Sequence, residues 1–488
     1  MAVRSSSQHR QDSAGSGRHA VVVGGSIGGM LAARVLSDHF DRITLIERDH
    51  LPEGTANRPG VPQARHLHFF LKRGLMAVEE LFPGVQSDLL AAGSHLLDQG
   101  KDFRILYRSG WSPKVACDLE ICAFTRPLLE TTIRRHLLQN PKVSITEGRE
   151  VAGLVLDESG ERVEGVRLRQ RDAEAGGEET TLRADFVVDV SGRGSKAPEW
   201  LQALGYDAPE EEVVDAFWGY ATRIYEPVEG FSADWKSLFI LNRPPYQPRA
   251  GIIQPIEGNR WIVTVAGVMH DYPPTDEEGF LKFARSLSSP ELYRAIESAR
   301  PLSKIWGYRQ TANRLRHYEK LSRMPQGFVT LGDAVCSFNP VYALGMTLTC
   351  LAVLELRDSL RKGRGQVETL RFQKRLARLA ASSWALTTSE DLRWPETQGG
   401  RITPKVKLMH WYLEQVIQLL PKSEEVFRRF QEVNHMLKPS SALFHPAVLG
   451  AVLRQAFGGR RAFPKPQEAP ARNRRHSTTT TATVPIRH

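Results

Sequence analysis

The chain has 488 residues, 41% hydrophobic and 25% charged, a globular balance that supplies a large core without disulfide or metal staples. Most of the formal +10 charge lies in the tails: Arg4, Arg10 and Arg18 against Asp12, and Arg460, Arg461, Lys465, Arg472, Arg474, Arg475 and Arg487 against Glu468. The body thus lacks the basic stripe of a nucleic-acid binder, and Cys117, Cys122, Cys336 and Cys350 form no CxxC or Cys/His cluster that would hold zinc.

The N-terminus "MAVRSSSQHRQDSAGSGRH" has no apolar h-region, and no run of about 18 apolar residues occurs, so a soluble, reduced, cytoplasmic protein is expected. Residues 1–18 and 459–488 read as disordered tails. Between them, "HAVVVGG" predicts a buried strand, "GMLAARVLSDHF" a helix and "DRITLIERD" a second strand, a βαβ unit. "TRPLLETTIRRHLLQ" predicts a helix with Pro127 in its first turn. "VSITEGREVAGLVLD", "RVEGVRLRQ" and "ADFVVDVSG" predict strands. "FWGYATRIY", "SLFILN", "AGIIQPIE" and "RWIVTVAGV" alternate as an antiparallel sheet does. From about 343 to 455 the pattern is helical, with "MHWYLEQVIQLL" amphipathic.

The expected fold is α/β. A discontinuous Rossmann-like dinucleotide domain over 19–212 and 305–365 is interrupted by an antiparallel-sheet domain at 213–304 and followed by helices over 366–458.

Two motifs carry chemistry. In "VVVGGSIGGM" the turn Gly24-Gly25-Ser26-Ile27-Gly28-Gly29 follows a strand and opens a helix. Gly24 makes the tight turn, Gly29 permits close helix–strand packing, and the helix N-terminus favours a pyrophosphate. Ser26 replaces the usual middle glycine. Glu47 supplies the acidic residue expected about 20 positions on, for the adenosine ribose. The alternative is a tight turn in some other α/β protein.

The second motif is "GDAVCSFNPVYALGM", residues 332–346. Asp333 at a strand end suits the ribityl hydroxyls of a flavin. Pro340 turns the chain, and the helix start at Gly345 and Met346 aims N–H groups at the ring edge that becomes negative on reduction. The alternative is an N-cap aspartate and a loop proline.

Together these motifs resemble the group A FAD-dependent monooxygenases, the aromatic hydroxylase type with a glutathione-reductase-like FAD-binding domain, through most of residues 20–350. Within that family "GVPQARHLHFF", "EEEVVDAFWGYATRIY", "RWIVTVAG", "TDEEGF" and "NRLRHYEKL" look like bacterial polyether-pathway epoxidases that act on polyenes. The resemblance implies that Gly24, Ser26 and Gly29 meet the pyrophosphate, Glu47 the ribose, Arg48 the adenine, Arg126 the ribityl–phosphate region, Asp333 the ribityl chain, and Gly345 and Met346 the ring edge. It implies FAD with NADPH or NADH as reductant, molecular oxygen, and insertion of one oxygen atom, by epoxidation or hydroxylation, into a large apolar small molecule via a flavin C4a-hydroperoxide. Two departures stand out. "VVDVSGRGS" replaces the usual Asp-Gly segment, and Ala343-Leu344 stand where relatives often have Gly and Gln.

In the loop "PQARHLH", Gln63, Arg65, His66 and His68 are candidates near the ring, with His66 and Arg65 chosen as catalytic; in a strand His66 and His68 face one side. Alternatively the two histidines are structural. Phe217, Trp218, Tyr220 and Trp261, beside Tyr225, are candidate substrate contacts, or plain core. "SALFHPAVLGAVLRQAF" before the basic tail offers a peripheral contact with anionic lipid. Within the fold, a halogenase and an isoprenoid double-bond reductase are rivals, although "FWGYATRIY" lacks the W-x-W-x-I-P halogenase signature. A non-catalytic flavin-binding partner is the reading from a different class.

Overall fold

The computed structural model describes residues 17–171 and 178–457. The basic tail expected to touch lipid, and all of the N-terminal tail before Gly17, lie outside the described residues.

The β-branched run His19–Val23 is buried along its whole length, as a central strand covered on both faces must be. It pairs in parallel with Arg42–Ile46 on one side and Phe186–Asp189 on the other. Val143–Thr146 and Phe328–Thr330 complete a five-stranded parallel sheet as its two edges. All five strands point one way, so Gly24, Glu47, Asp189 and the Asp333 segment emerge at the same carboxyl edge, the place where open α/β sheets bind ligands.

Helix Ile27–Leu36 packs over this sheet and against helix Gly345–Lys362. Gly28 permits the approach: a Cβ there would lie 2.6 Å from Thr349 Cγ2 and 2.8 Å from Val190 Cγ1. Gly24 sits at φ +105°, which glycine alone adopts freely. The predicted strand segments "VSITEGREVAGLVLD" and "RVEGVRLRQ" form Val143–Thr146, Arg149–Leu156 and Val163–Gln170, the last two in an antiparallel trio with Thr180–Arg183, which the sequence pattern does not mark.

An eight-stranded sheet carries Gly219–Glu226, Ser237–Ile240, Arg249–Ile256 and Arg260–Gly267 as the expected antiparallel core. It also takes in Phe103–Tyr107, parallel to Ser237–Ile240, with Gly110–Trp111 beyond it, and Trp306–Tyr308 beside Gly219–Glu226. Sequence pattern does not place those segments in this sheet, because it carries no information on which distant strand each one pairs with. One face is closed by helices Glu277–Arg285 and Glu291–Ile296, with Phe280, Phe283 and Leu292 against Leu238, Ile253 and Val263. Asp276 caps the first of these helices, accepting from Gly279 N at 2.8 Å.

Helices Thr369–Asp391, Pro404–Leu419, Glu424–Asn434 and Pro446–Phe457 realise the helical pattern at the end. Tyr412, Leu413, Val416 and Phe427 bury Phe103, Ile105 and Tyr107. No helix among the described residues is long and apolar enough to cross a membrane.

Gly29→Ala is expected to be severe, because the new Cβ would lie 1.8 Å from the Gly24 carbonyl oxygen. The denaturant midpoint should fall well below that of Gly54→Ala, where a Cβ meets nothing within 4 Å. Equal midpoints would contradict this packing.

Candidate active site and cofactor cradle

The glycine turn is tied down by charge. Glu47 Oε2 accepts from Gly25 N at 2.9 Å, and Oε1 from Asp49 N at 2.9 Å. Arg58 reaches into the same buried space, 2.9 Å from Glu47, 3.1 Å from Asp49 and 2.8 Å from Glu130. Burial pulls the Arg58 guanidinium down, but Glu130, Glu47 and Asp49 outweigh it and hold its pKa above the usual value. Sequence reasoning missed Arg58 and Glu130, since no local pattern distinguishes them. Arg48 is exposed, with Nη2 3.5 Å from the Gly60 carbonyl.

The network continues toward the second motif. Ser26 Oγ donates to Glu130 Oε2 at 3.1 Å and accepts from Arg126 Nη2 at 2.8 Å. Arg126 Nη1 lies 3.3 Å from His68 Nε2, and His68 Nδ1 lies 3.0 Å from the His66 carbonyl oxygen. The geometry therefore assigns His68 as neutral with the proton on Nδ1. Burial and the Arg126 charge pull its pKa to about 3.

Asp333 is half-buried and, among the described residues, its carboxylate makes no hydrogen bond or ion pair. Burial pushes its pKa up, against the pull of Arg193, Arg126 and Arg314. A carboxylate left without a protein partner in such surroundings calls for a donor from elsewhere. The helix Gly345–Lys362 that follows has no side-chain cap, and Ala343 just before it holds φ +55°. Pro340 is exposed and opens the short turn Pro340–Tyr342, capped by Asn339 Oδ1 accepting from Val341 N at 3.1 Å.

The segment "VVDVSGRGS" explains its own departure. Asp189 is fully buried and accepts from Ser191 and Ser195 hydroxyls, closing the turn. Arg193 then extends 2.8 Å to the Ala312 carbonyl and 3.3 Å to that of Phe338, bracing the Asp333 segment from the opposite side.

His66 and His68 do not share a face. Residues 62–65 form a 3-10 turn rather than a strand, and the two rings take separate partners. His66 is buried, with Nδ1 2.8 Å from Thr222 Oγ1, itself 2.8 Å from Thr264 Oγ1. Burial and the Arg65 charge pull its pKa to about 4, so it is neutral near pH 7. Its Nε2 makes no hydrogen bond, and neither does the Arg65 guanidinium, among the described residues. Gln63 is half-buried nearby.

The aromatic candidates separate by strand face. Tyr220 pairs with Ala266 and Thr222 with Thr264, so both face His66, with Tyr308 5.5 Å from the His66 ring. Trp218 is buried against Trp394. Phe217 is half-buried at φ +56°, stacked 4.1 Å from His270. Trp261, expected on the pocket wall, is a correction: together with Tyr225 it projects from the opposite face and packs on Phe231 and Trp235. A period of two sets residues on alternate faces, but not which face meets the pocket.

A buried carboxylate that the sequence did not reveal completes the region. Asp391 accepts from Tyr342 Oη at 2.6 Å, Trp218 Nε1 at 3.2 Å and Asn313 Nδ2 at 2.6 Å. Burial pushes its pKa to about 7 despite those three donors.

The glycine turn at a helix N-terminus, the partnerless Asp333 and the uncapped second helix fit an FAD-binding monooxygenase. A family model described as "FAD binding domain" matches residues 18–356, and the chain belongs to that family, the group A flavoprotein monooxygenases. It is 37% identical over 352 residues to Protein Rv3254 of Mycobacterium tuberculosis (strain ATCC 25618 / H37Rv), covering 70% of this chain and 73% of the relative. It is 29% identical over 223 residues to 3-(3-hydroxy-phenyl)propionate/3-hydroxycinnamic acid hydroxylase of Burkholderia cenocepacia (strain HI2424), 43% of this chain and 34% of that one. Solved structures with the same fold include the flavin-dependent brominase Bmp2, with TM-score 0.58 and 16% identity over 86% of this chain and 100% of that one. PqsL of Pseudomonas aeruginosa, a probable FAD-dependent monooxygenase, has TM-score 0.56 and 15% identity over 86% and 100%. FAD is therefore the cofactor, with NAD(P)H the reductant typical of the family.

Replacing Arg58 by Met removes the buried cation that three carboxylates share, leaving Arg171 on Asp49 and Arg126 3.8 Å from Glu130, and is expected to destabilise the fold by about 3–5 kcal/mol. Arg48→Met, on the exposed side, should cost under about 1 kcal/mol. Urea denaturation of both variants checks the difference.

Proposed function

We propose that this enzyme inserts one oxygen atom, by epoxidation or hydroxylation, into a large apolar natural product. The observation that carries the reading is the sheet face opposite the Asn339–Ala343 turn. It presents Tyr220, Thr222, Thr264, Ala266 and Ile252, all neutral, with Tyr308 and Trp218 at its margin. A wall of aromatic and small polar groups without a fixed charge suits an apolar substrate held by shape.

When bound, FAD reduced by NAD(P)H supplies the activation of dioxygen. Gly24, Ser26 and Gly29 cradle its pyrophosphate, Glu47 the ribose, Arg48 the adenine, and Arg126 the stretch between phosphate and ribityl. Asp333 accepts from the ribityl hydroxyls. Pro340 and the N–H groups of Gly345 and Met346 set the ring edge. The other residues of the site exclude water and hold a proton. His66 is placed to hold that proton. With Nδ1 on the Thr222–Thr264 hydroxyl pair, its Nε2 can offer or accept a proton as those hydroxyls rotate. Arg65 keeps a positive charge beside it. Phe217 and His270 stack at the margin of the wall.

Asp333→Ala is expected to purify mostly colourless, since the unpaired carboxylate is the ribityl anchor; full flavin occupancy in that variant would falsify the placement. His66→Gln should retain flavin while kcat falls about 10²-fold. A rate equal to wild type removes His66 from proton handling. The reaction itself is tested by NADPH-dependent oxygen uptake with polyene or terpenoid substrates under isotopically labelled dioxygen. Label in the product supports the proposal. Saturated product without label indicates a double-bond reductase, halide-dependent turnover a halogenase, and no turnover with any substrate a flavin-binding partner.

A further inference from the structure

Asp391 closes helix Thr369–Asp391, beyond the residues that match the FAD-binding family. Nothing in helix formation asks for it there, because a carboxylate at a helix C-terminus meets the negative end of the dipole. It is also fully buried, an unfavourable place for a charge unless every lone pair is used.

Its contacts show what it holds. Oδ1 accepts from Tyr342 Oη and Trp218 Nε1, and Oδ2 from Asn313 Nδ2. Asn313 Oδ1 in turn accepts from Asn339 N at 2.8 Å. The two oxygens of one carboxylate thus pin both ends of the turn Asn339–Tyr342, one directly and one through Asn313. Tyr220 Oη also donates to Asn339 Oδ1 and accepts from Val341 N at 3.1 Å, joining the sheet wall to the same turn. Immediately after the turn Ala343 holds φ +55°, a conformation unfavourable for a residue with a Cβ. Such strain persists only where the surroundings over-determine it. The segment after Asp391 is fastened as well: Thr397 Oγ1 donates to the Asp391 carbonyl at 2.6 Å, and Gln398 and Asp215 exchange backbone hydrogen bonds at 2.8 and 2.9 Å. The C-terminal helices therefore grip the start of the substrate sheet and the mouth of the second cofactor helix together.

We propose that Asp391 is a positioning residue, fixing the Asn339–Ala343 turn, and through it the N–H groups of Gly345 and Met346, in register with the Trp218 wall. The proposal rests on the flavin ring lying at that helix mouth. Asparagine at 391 offers one acceptor oxygen where the aspartate offers two, so it cannot serve Asn313 on one side and Trp218 on the other.

The test is FAD titration of the apoprotein, read by flavin fluorescence and by the shape of the long-wavelength flavin absorbance band. Wild type, Asp391→Asn, Tyr342→Phe, the double variant and Thr397→Val are compared. Asp391→Asn and Tyr342→Phe should each weaken FAD about tenfold and change the band in the same direction. The double variant should be no worse than Asp391→Asn alone, because both act through one contact. Thr397→Val touches only the backbone of Asp391, so it should keep the wild-type band and affinity even if its melting temperature falls. Should Asp391→Asn fail to fold, Tyr342→Phe decides alone, since Asp391 keeps two donors there. A Tyr342→Phe protein with wild-type affinity and band overturns the proposal while leaving the cofactor site intact. A wild-type protein that takes up no FAD overturns both.

Discussion

The structure depends on how closely two helices approach across one sheet edge. Helix Ile27–Leu36 and helix Gly345–Lys362 lie at opposite ends of the family domain in sequence, yet Gly28 lets Thr349 and Val190 occupy the space a side chain would fill. That contact places the N-termini of both helices on the same carboxyl edge of the parallel sheet. On the proposed reading, two positive helix ends and the acceptors between them, Glu47 and Asp333, form one elongated cradle.

Charge is distributed along that cradle unevenly. At the Gly24 end Glu47, Asp49 and Glu130 share Arg58, backbone N–H groups serve Glu47 and Asp49, and the Ser26 hydroxyl serves Glu130. At the Gly345 end Asp333 has cations within electrostatic reach but, among the described residues, no hydrogen bond or ion pair. The protein thus uses its own hydrogen bonds to hold the turn at residue 25 and keeps acceptor capacity at Asp333, where the proposed placement puts the ribityl hydroxyls. Near the sheet wall His66 and His68 are held uncharged by burial, with the Arg65 and Arg126 charges respectively adding to it, and Thr222 and Thr264 are hydroxyls. On the proposed reading these neutral imidazoles and hydroxyls lie on the substrate side of the cofactor.

Much of this arrangement is legible in the sequence where a local rule applies. The strand–glycine–helix unit at 19–36, Glu47 at the end of the second strand, and the carboxylate–proline–glycine order at 333–345 each follow from backbone geometry within a short stretch. So do the antiparallel strands between 219 and 267, rich in β-branched and aromatic residues and bounded by turn residues. Features that exist only after long-range pairing are not legible in this way. The strand Phe103–Tyr107 joins a sheet whose other members begin beyond residue 219. Arg58 acquires its meaning from three carboxylates, the farthest at residue 130, and Asp391 from donors at 218, 313 and 342. Alternation in Arg260–Gly267 puts Trp261 on one face correctly but does not say that this face meets helices rather than the pocket. The His66–Leu67–His68 pair departs from expectation for a simpler reason. Its spacing suits a strand, but the chain there is a 3-10 turn followed by irregular backbone that sends the two rings to different partners.

In the proposed site both helix mouths serve one FAD molecule. The most direct measurement is a visible absorbance spectrum of the freshly purified protein, followed by mass identification of the released chromophore and its stoichiometry. FAD at one equivalent per chain is expected, bound directly or after reconstitution. Absence of flavin after incubation with excess FAD, or release of a flavin lacking the adenosine half, would contradict it, because then the Gly24–Glu47 end and the Asp333–Gly345 end do not hold the same ligand.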